Sequence, residues 1–149
     1  RIDVTGGRSS NSDAGIGNSG TLLLRDCKLY DNSATNTSLY AGGLGNNGTA
    51  TLIGSEVGPN NHAAGKYAGG GIANSGTLVM NDTVVHGNTA SYSGGGIGND
   101  KHLEMNNCTV HSNEASFGGG GGLGNSGSVQ ISASRLFNNT AKGGGAIGT

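Results

Sequence analysis

Apolar residues recur along the chain in short alternating segments that are separated by bends rich in glycine and asparagine. The stretch "TLLLRDCKLY" at 21–30 is one example, in which the leucines at 22, 24 and 29 are assigned inward and the leucine at 23 outward. A step of two is the period of a β-strand, whose successive side chains point to opposite faces, and a helical stripe would step by three or four. The pattern therefore predicts an all-β chain built from short strands.

These segments belong to a repeat whose anchor is an apolar residue flanked by small residues and commonly followed by Asn two positions later. The anchors are Ile16, Leu44, Ile72, Ile97, Leu123 and Ile147. Successive anchors are 28, 28, 25, 26 and 24 residues apart. We treat residues 1–149 as one domain with units of approximately 15–42, 43–70, 71–95, 96–121 and 122–145, and with partial coils at both ends.

Further inward positions align from unit to unit in four columns. They are Leu22, Ala50, Leu78, Leu103 and Val129; Leu24, Leu52, Met80, Met105 and Ile131; Cys27, Ser55, Thr83, Cys108 and Ser134; and Leu29, Val57, Val85, Val110 and Leu136. A strand with one or two apolar residues cannot bury them alone, but coils stacked about 4.8 Å apart share one core. The sequence predicts a single-stranded parallel β-helix, a solenoid of about five to six coils of 24–28 residues with three short strands per coil.

Two further columns consist of asparagine, and we expect them to stack as hydrogen-bonded amide ladders that also satisfy backbone groups of the turns. The first column is Asn18, Asn46, Asn74, Asn99 and Asn125. The second is Asn32, Asn60, Asn88, Asn113 and Asn139, commonly followed two residues later by Ala.

The segment "LFNNTAKGGGAI" at 136–147 resembles the FxxN and GGA[IL] repeats of polymorphic outer membrane proteins, a class of autotransporter adhesins. More broadly, the chain resembles right-handed β-helix proteins with a pectin-lyase-like fold, and the likeness covers residues 12–149. The resemblance implies a right-handed winding and an adhesive role. It indicates a fold more than a particular ligand.

The segment "GIGNSG" at 15–20 also fits the G-x-G-x-x-G pattern of a dinucleotide-binding loop. That motif requires a buried strand before it and a helix after it. Here the preceding stretch is polar and glycine-rich, the following one alternates like a strand, and related copies return at 43, 71, 96 and 122. We interpret the segment as a corner of the solenoid and expect no cofactor.

Composition and net charge limit the classes of partner that we expect. The 149 residues include 32 glycines, only 11% are charged, and the net charge is −1. A chain without a basic stripe is not expected to bind nucleic acid, and without an apolar run of about 18 residues it is not expected to insert into a membrane.

Candidate chemistry is sparse on the outward positions. No outward column holds two acids in neighbouring coils, as acid–base catalysis would need, so we predict a protein that is not an enzyme. His86 and His111 share an outward column, but a zinc site needs three or four ligands, so we interpret them as solvated strand residues and predict no metal site. A row of Thr21, Thr49 and Thr77 is typical of ice-binding solenoids but continues as His102 and Ser128.

Aromatic residues fall four to six positions before the next anchor at Tyr40, Tyr67, Tyr92 and Phe117. This corner is a candidate for ring stacking or for ligand binding, since exposed rings can cradle sugars and can equally seal the edge of a core.

We therefore expect a non-enzymatic extracellular or cell-surface protein with a structural or adhesive role. We expect it to associate end to end into a filament or to continue into a longer β-helix, and surface glycans are candidate ligands. A carbohydrate-binding or carbohydrate-cleaving β-helix is the alternative, and an ice-binding protein is the second alternative.

Overall fold

The chain folds as a parallel β-solenoid of about five turns, and about half of it lies in strands. The computed structural model describes residues 1–35, 40–65 and 69–149, and none of these residues lies in a helix. The prediction of an all-β parallel β-helix is confirmed.

Four parallel sheets run along the solenoid, and each coil contributes one strand to each sheet in turn. Sheet 1 contains β1 (Asp3–Thr5), β5 (Lys28–Tyr30), β9 (Glu56–Val57), β13 (Val84–His86), β17 (Thr109–His111) and β21 (Arg135–Phe137). Sheet 2 contains β2 (Arg8–Ser9), β6 (Ser33–Ala34), β10 (His62–Ala63), β14 (Thr89–Ala90), β18 (Glu114–Ala115) and β22 (Thr140–Ala141).

Sheets 3 and 4 complete each coil. Sheet 3 contains β3 (Ile16–Asn18), β7 (Leu44–Asn46), β11 (Ile72–Asn74), β15 (Ile97–Asn99), β19 (Leu123–Asn125) and β23 (Ile147–Gly148). Sheet 4 contains β4 (Thr21–Arg25), β8 (Thr49–Ile53), β12 (Thr77–Asn81), β16 (His102–Asn106) and β20 (Ser128–Ser132).

The prediction of three strands per coil is too low by one. The strand that it missed is the two-residue strand of sheet 2, which carries a single inward alanine in β6, β10, β14, β18 and β22. One small side chain gives almost no periodic signal, and only the pairing between coils identifies this segment as a strand.

The register between coils follows the predicted columns. Leu78 pairs with Ala50 on one side and Leu103 on the other, and Met80 pairs with Leu52 and Met105. Val4 pairs with Leu29, as expected from its place in the same column. Because a slip of one residue would turn every inward side chain to solvent, the buried columns fix this register.

The core is one continuous apolar cluster along the axis, formed by the anchor column and the inward columns. Leu44, Leu52, Ile72, Met80 and Leu103 have no exposed surface. Each such side chain contributes about 2 kcal/mol when fully buried. Since a coil supplies only a few of them, stability depends on the contact of each coil with its neighbours.

Glycine fills a column immediately before the anchors because the backbones of neighbouring coils approach closely there. A Cβ built on Gly43 would lie 2.6 Å from the carbonyl oxygen of Gly71, and one on Gly15 would lie 2.3 Å from that of Gly43. Neither glycine has a positive φ. Glycine is therefore needed at these positions because the space between coils is too small for a side chain.

Candidate functional site

The first asparagine ladder stands at the corner between sheets 3 and 4 and contains the five residues predicted for it. Asn18 Nδ2 donates to Asn46 Oδ1 at 2.7 Å, Asn46 to Asn74 at 2.8 Å, Asn74 to Asn99 at 2.7 Å and Asn99 to Asn125 at 2.7 Å. The three central residues are buried. Each Nδ2 group of the first four also donates to a backbone carbonyl at the start of the next sheet 4 strand, as Asn74 does to His102 at 2.8 Å.

The second ladder stands at the corner between sheets 1 and 2, and one predicted member is wrong. The bonds run from Asn32 to Asn61 at 3.0 Å, Asn61 to Asn88 at 2.9 Å, Asn88 to Asn113 at 3.0 Å and Asn113 to Asn139 at 3.0 Å. Asn61, not Asn60, is the second member and is fully buried. Asn60 is exposed, and its Nδ2 donates to the Asp31 carboxylate at 2.9 Å.

The shift has its cause in the backbone that precedes the ladder. The residue before each ladder asparagine has a positive φ: Asp31 at 56°, Asn60 at 62°, Gly87 at 60°, Ser112 at 55° and Asn138 at 52°. Counting from Val57 would put Pro59 in that column. Proline is locked near a φ of about −65°, so the left-handed residue must come one position later. Asn60 takes that conformation, and Asn61 enters the ladder.

Both cysteines lie in the inner column at the corner between sheets 4 and 1, where the other members are Ser55, Thr83 and Ser134. Cys108 Sγ donates to the carbonyl of Asn106 at 3.3 Å, as Thr83 Oγ1 does to that of Asn81 at 2.9 Å. Burial raises the pKa of the Cys108 thiol. The sulfur atoms thus take the place of hydroxyl groups that bridge this corner.

The candidate aromatic corner is only partly assembled. The rings of Tyr92 and Phe117 lie 5.9 Å apart at 45°, and Lys142 Nζ lies 5.2 Å from the Phe117 ring. Tyr40 lies instead beside Asp13 at a cavity of about 250 Å³. Tyr67 falls outside the described residues. The tilted pair and the overlying ammonium group do not form a flat platform, and both rings remain exposed.

The Tyr40 cavity contains one partly buried carboxyl group. Asp13 packs over Gly45, and its Oδ1 accepts a hydrogen bond from the Ala41 backbone at 2.7 Å. Desolvation raises the pKa of this carboxyl, against the lowering effect of that hydrogen bond. The contact ties the loop before sheet 3 to the next coil, which is a structural use of the acid.

The threonine row on the outer face of sheet 4 has the register that the sequence predicts. Thr21 pairs with Thr49, Thr49 with Thr77, and the row continues to His102 and Ser128. His102 Nδ1 and Ser128 Oγ are 3.1 Å apart. Leu23 is 58% exposed beside the row. The outer face of sheet 4 therefore presents threonine at this position in three coils and other polar residues in the next two.

The outer face of sheet 1 carries a connected set of interacting side chains. The rings of His86 and His111 stack at 5.1 Å and 13°, and those of His111 and Phe137 at 5.1 Å and 8°. Glu56 bonds to Lys28 through one oxygen and to His86 Nε2 at 2.9 Å through the other. Lys28 and Glu56 thus form an ion pair on this face.

Two titratable groups of this face have shifted pKa values. Hydrogen bonds from Lys28 and His86 lower the pKa of Glu56. Desolvation, with a smaller contribution from the charge of His86, lowers the pKa of His111. The two imidazole rings stack face to face, while His86 Nε2 bonds to Glu56 and His111 Nδ1 lies 3.1 Å from Ser112 Oγ.

Within the described ranges, no three His, Cys, Asp or Glu side chains are grouped closely enough to hold a metal ion. Over the same residues, no helix long and apolar enough to cross a membrane is found.

Comparison with known proteins adds no relative: no family model, no curated protein and no solved structure matches this chain.

Proposed function

We propose that this protein is a non-enzymatic structural or adhesive element, a rigid rod that acts outside the cell or at its surface. The observation that carries the proposal is the pair of amide ladders, each of which joins five consecutive coils through side chains that are mostly buried. Buried polar networks that are fully bonded rigidify a fold. Among the described residues, every buried side-chain nitrogen and oxygen has a partner.

The proposal includes continuation of the solenoid at its end coils. Unpaired strand edges are templates for further strands. Both ladders also run with the same polarity, since each amide donates toward the next coil in the chain. Further coils, from this chain or a second copy, would extend the ladders in one direction.

Extracellular placement and membership among polymorphic outer membrane protein-like adhesins, with a right-handed winding, are part of the same proposal. They are supported by the GGA[IL] and FxxN-like segments at 136–147 and by a neutral surface with a net charge of −1.

The test is negative-stain electron microscopy of the protein over a concentration series. Pairing of end coils predicts filaments whose axial repeat matches one subunit, roughly 25–30 Å at the coil rise. Ile131→Lys would place a charge in an inward column at the open edge and should abolish filaments, whereas Gln130→Lys on the outer face of the same strand should not. Discrete particles at every concentration would contradict end-to-end assembly.

A further inference from the structure

The outward column of sheet 1 is interrupted at one coil. Tyr30 precedes the gap, and His86, His111 and Phe137 follow it, while the register places Gly58 at the position between Tyr30 and His86. Gly58 has a φ of 131°, and a Cβ built on it would lie 1.8 Å from the carbonyl oxygen of His86. The backbone itself therefore keeps this position free of a side chain.

A cavity of about 280 Å³ lies at this interruption. Gly58, Tyr30 and Pro59 are among the residues that line it. Pro59 stands at the side toward sheet 2, since its Cβ is 2.9 Å from the position that a Cβ on Gly87 would take. The volume is just below the range of about 300–1,000 Å³ typical of sites for drug-sized ligands, so a single ring is the fitting occupant.

The polar groups around the cavity balance in charge and are held in place. Lys28 pairs with Glu56, whose second oxygen is held by His86, and Arg1 Nε lies 3.3 Å from Asp3 Oδ1. Among the side chains that line the cavity, those of Arg1 and Lys28 offset the carboxylates of Asp3 and Glu56. Because the partners already fix these side chains, little further ordering is needed when they bond to a ligand.

The spacing along the column leaves room for one ring. The Tyr30 and His86 rows are two strand spacings apart, roughly 9.6 Å. A ring inserted between them would therefore lie about 5 Å from each, close to the 5.1 Å of the stacked rings that follow. A chair-shaped pyranose is thicker than a flat aromatic ring and has hydroxyl groups around its edge that match the fixed donors and acceptors.

We propose that this cavity, formed by Tyr30, Gly58, Pro59 and the Lys28–Glu56 pair, binds a single neutral hexopyranose ring. One face of the sugar packs on Tyr30, and its hydroxyl groups bond to Glu56 and Lys28. This site is separate from the Tyr92–Phe117 corner, and the inference does not depend on the structural role proposed above.

The experiment is an NMR titration of the ¹⁵N-labelled protein with the methyl glycosides of glucose, galactose and mannose. Phenol serves as a flat-ring probe, and methyl glucuronide serves as a charged one. We expect saturable shifts at the amides of Lys28, Tyr30 and Gly58 with at least one neutral hexoside. Tyr30→Ala should weaken that affinity about tenfold, in keeping with the energy of a lost aromatic contact, and Tyr30→Phe should keep it within about threefold.

Tyr92→Ala is the matched control, since it removes an exposed ring from the other candidate corner and should leave the affinity unchanged. The proposal is overturned if no hexoside gives saturable shifts up to roughly 50 mM, a concentration that would detect millimolar affinity. It is equally overturned if Tyr30→Ala binds as well as the unaltered protein, or if phenol or the glucuronide binds more tightly than every neutral hexoside.

Discussion

The two asparagine ladders use the same side chain at two corners, but the chain approaches them differently. The ladder between sheets 3 and 4 follows the anchor at a constant distance of two residues and lies in a corner without a positive φ. The ladder between sheets 1 and 2 follows a left-handed residue in every coil, and it shifts by one residue where proline intervenes. The comparison shows that the backbone conformation before a buried amide, and not the residue count, decides which asparagine is buried.

The largest loss of stability is expected when the second ladder is broken at Asn61, the member that the sequence misplaced. Asn61→Ala removes a donor to Asn88 and to the Leu29 carbonyl and an acceptor for Asn32. Since buried groups left without partners cost about 1–3 kcal/mol each, we expect a loss of about 3 kcal/mol in the free energy of unfolding. Asn60→Ala is the matched control and should cost only about 1 kcal/mol or less, since it loses one exposed hydrogen bond. Urea denaturation of both variants measures the difference, and equal losses would contradict the assignment.

The next effect compares the middle of the first ladder with its end. Asn74 is 1% exposed and bonded on both sides, whereas Asn18 is half-buried and donates to one neighbour in its ladder. We expect Asn74→Ala to lower the free energy of unfolding by about 2–3 kcal/mol and Asn18→Ala by about 1 kcal/mol. Thermal unfolding of the two variants ranks their losses of stability. Equal losses, or a larger loss for Asn18→Ala, would mean that the contribution of a ladder asparagine does not depend on its burial.

A smaller effect sharpens the contrast between the two corners. Ser112 holds a φ of 55° in the column whose member in the preceding coil is Gly87. Ser112→Gly should therefore raise the free energy of unfolding by about 0.5–1 kcal/mol, because the left-handed region costs a side chain about 1–2 kcal/mol. Ser126→Gly in the first ladder's corner, where φ is not positive, should be neutral or destabilising. A gain in both variants would remove the proposed difference between the corners.

The smallest expected effect is a pH dependence of the free energy of unfolding that arises from Glu56 and His111 on the outer face of sheet 1. The pKa of Glu56 is lower in the folded protein than in the unfolded chain, so its contribution is present above pH 4.5 and is lost as the pH falls through the folded pKa. The pKa of His111 is likewise lowered, so folding favours its neutral form and loses stability as the pH falls below about 6.5. We expect Glu56→Gln to flatten the decline below pH 4.5, an effect of a few tenths of a kcal/mol for such exposed groups. An unchanged slope in urea melts from pH 3 to 5 would contradict this assignment.

The sequence predicted the inward columns and the register of the sheets correctly, because burial in a stacked fold repeats in every coil. It also carried signals that would have corrected the second ladder. Pro59 cannot take a positive φ, and Ala63, the counterpart of Ala34 and Ala90, comes two residues after Asn61 and three after Asn60.

Other features depend on the three-dimensional arrangement of the coils. The two-residue strand that each coil contributes to sheet 2 carries too little apolar surface to be recognised in sequence. The cavity beside Tyr30 is lined by Gly58. Aligning the repeats shows that a glycine occupies this position, but it does not show the space around that glycine. The aromatic corner was predicted from spacing alone, and loops of different length bring only Tyr92 and Phe117 together among its described members.

The most direct test of the ladders is hydrogen exchange of the asparagine side-chain amides, followed by ¹⁵N NMR. The account predicts that the Nδ2 protons of Asn46, Asn61, Asn74, Asn88, Asn99 and Asn113 exchange slowly, and that those of Asn60 exchange at rates close to those of a free peptide. Protected Asn60 protons beside rapidly exchanging Asn61 protons would contradict it, as would rapid exchange throughout both columns.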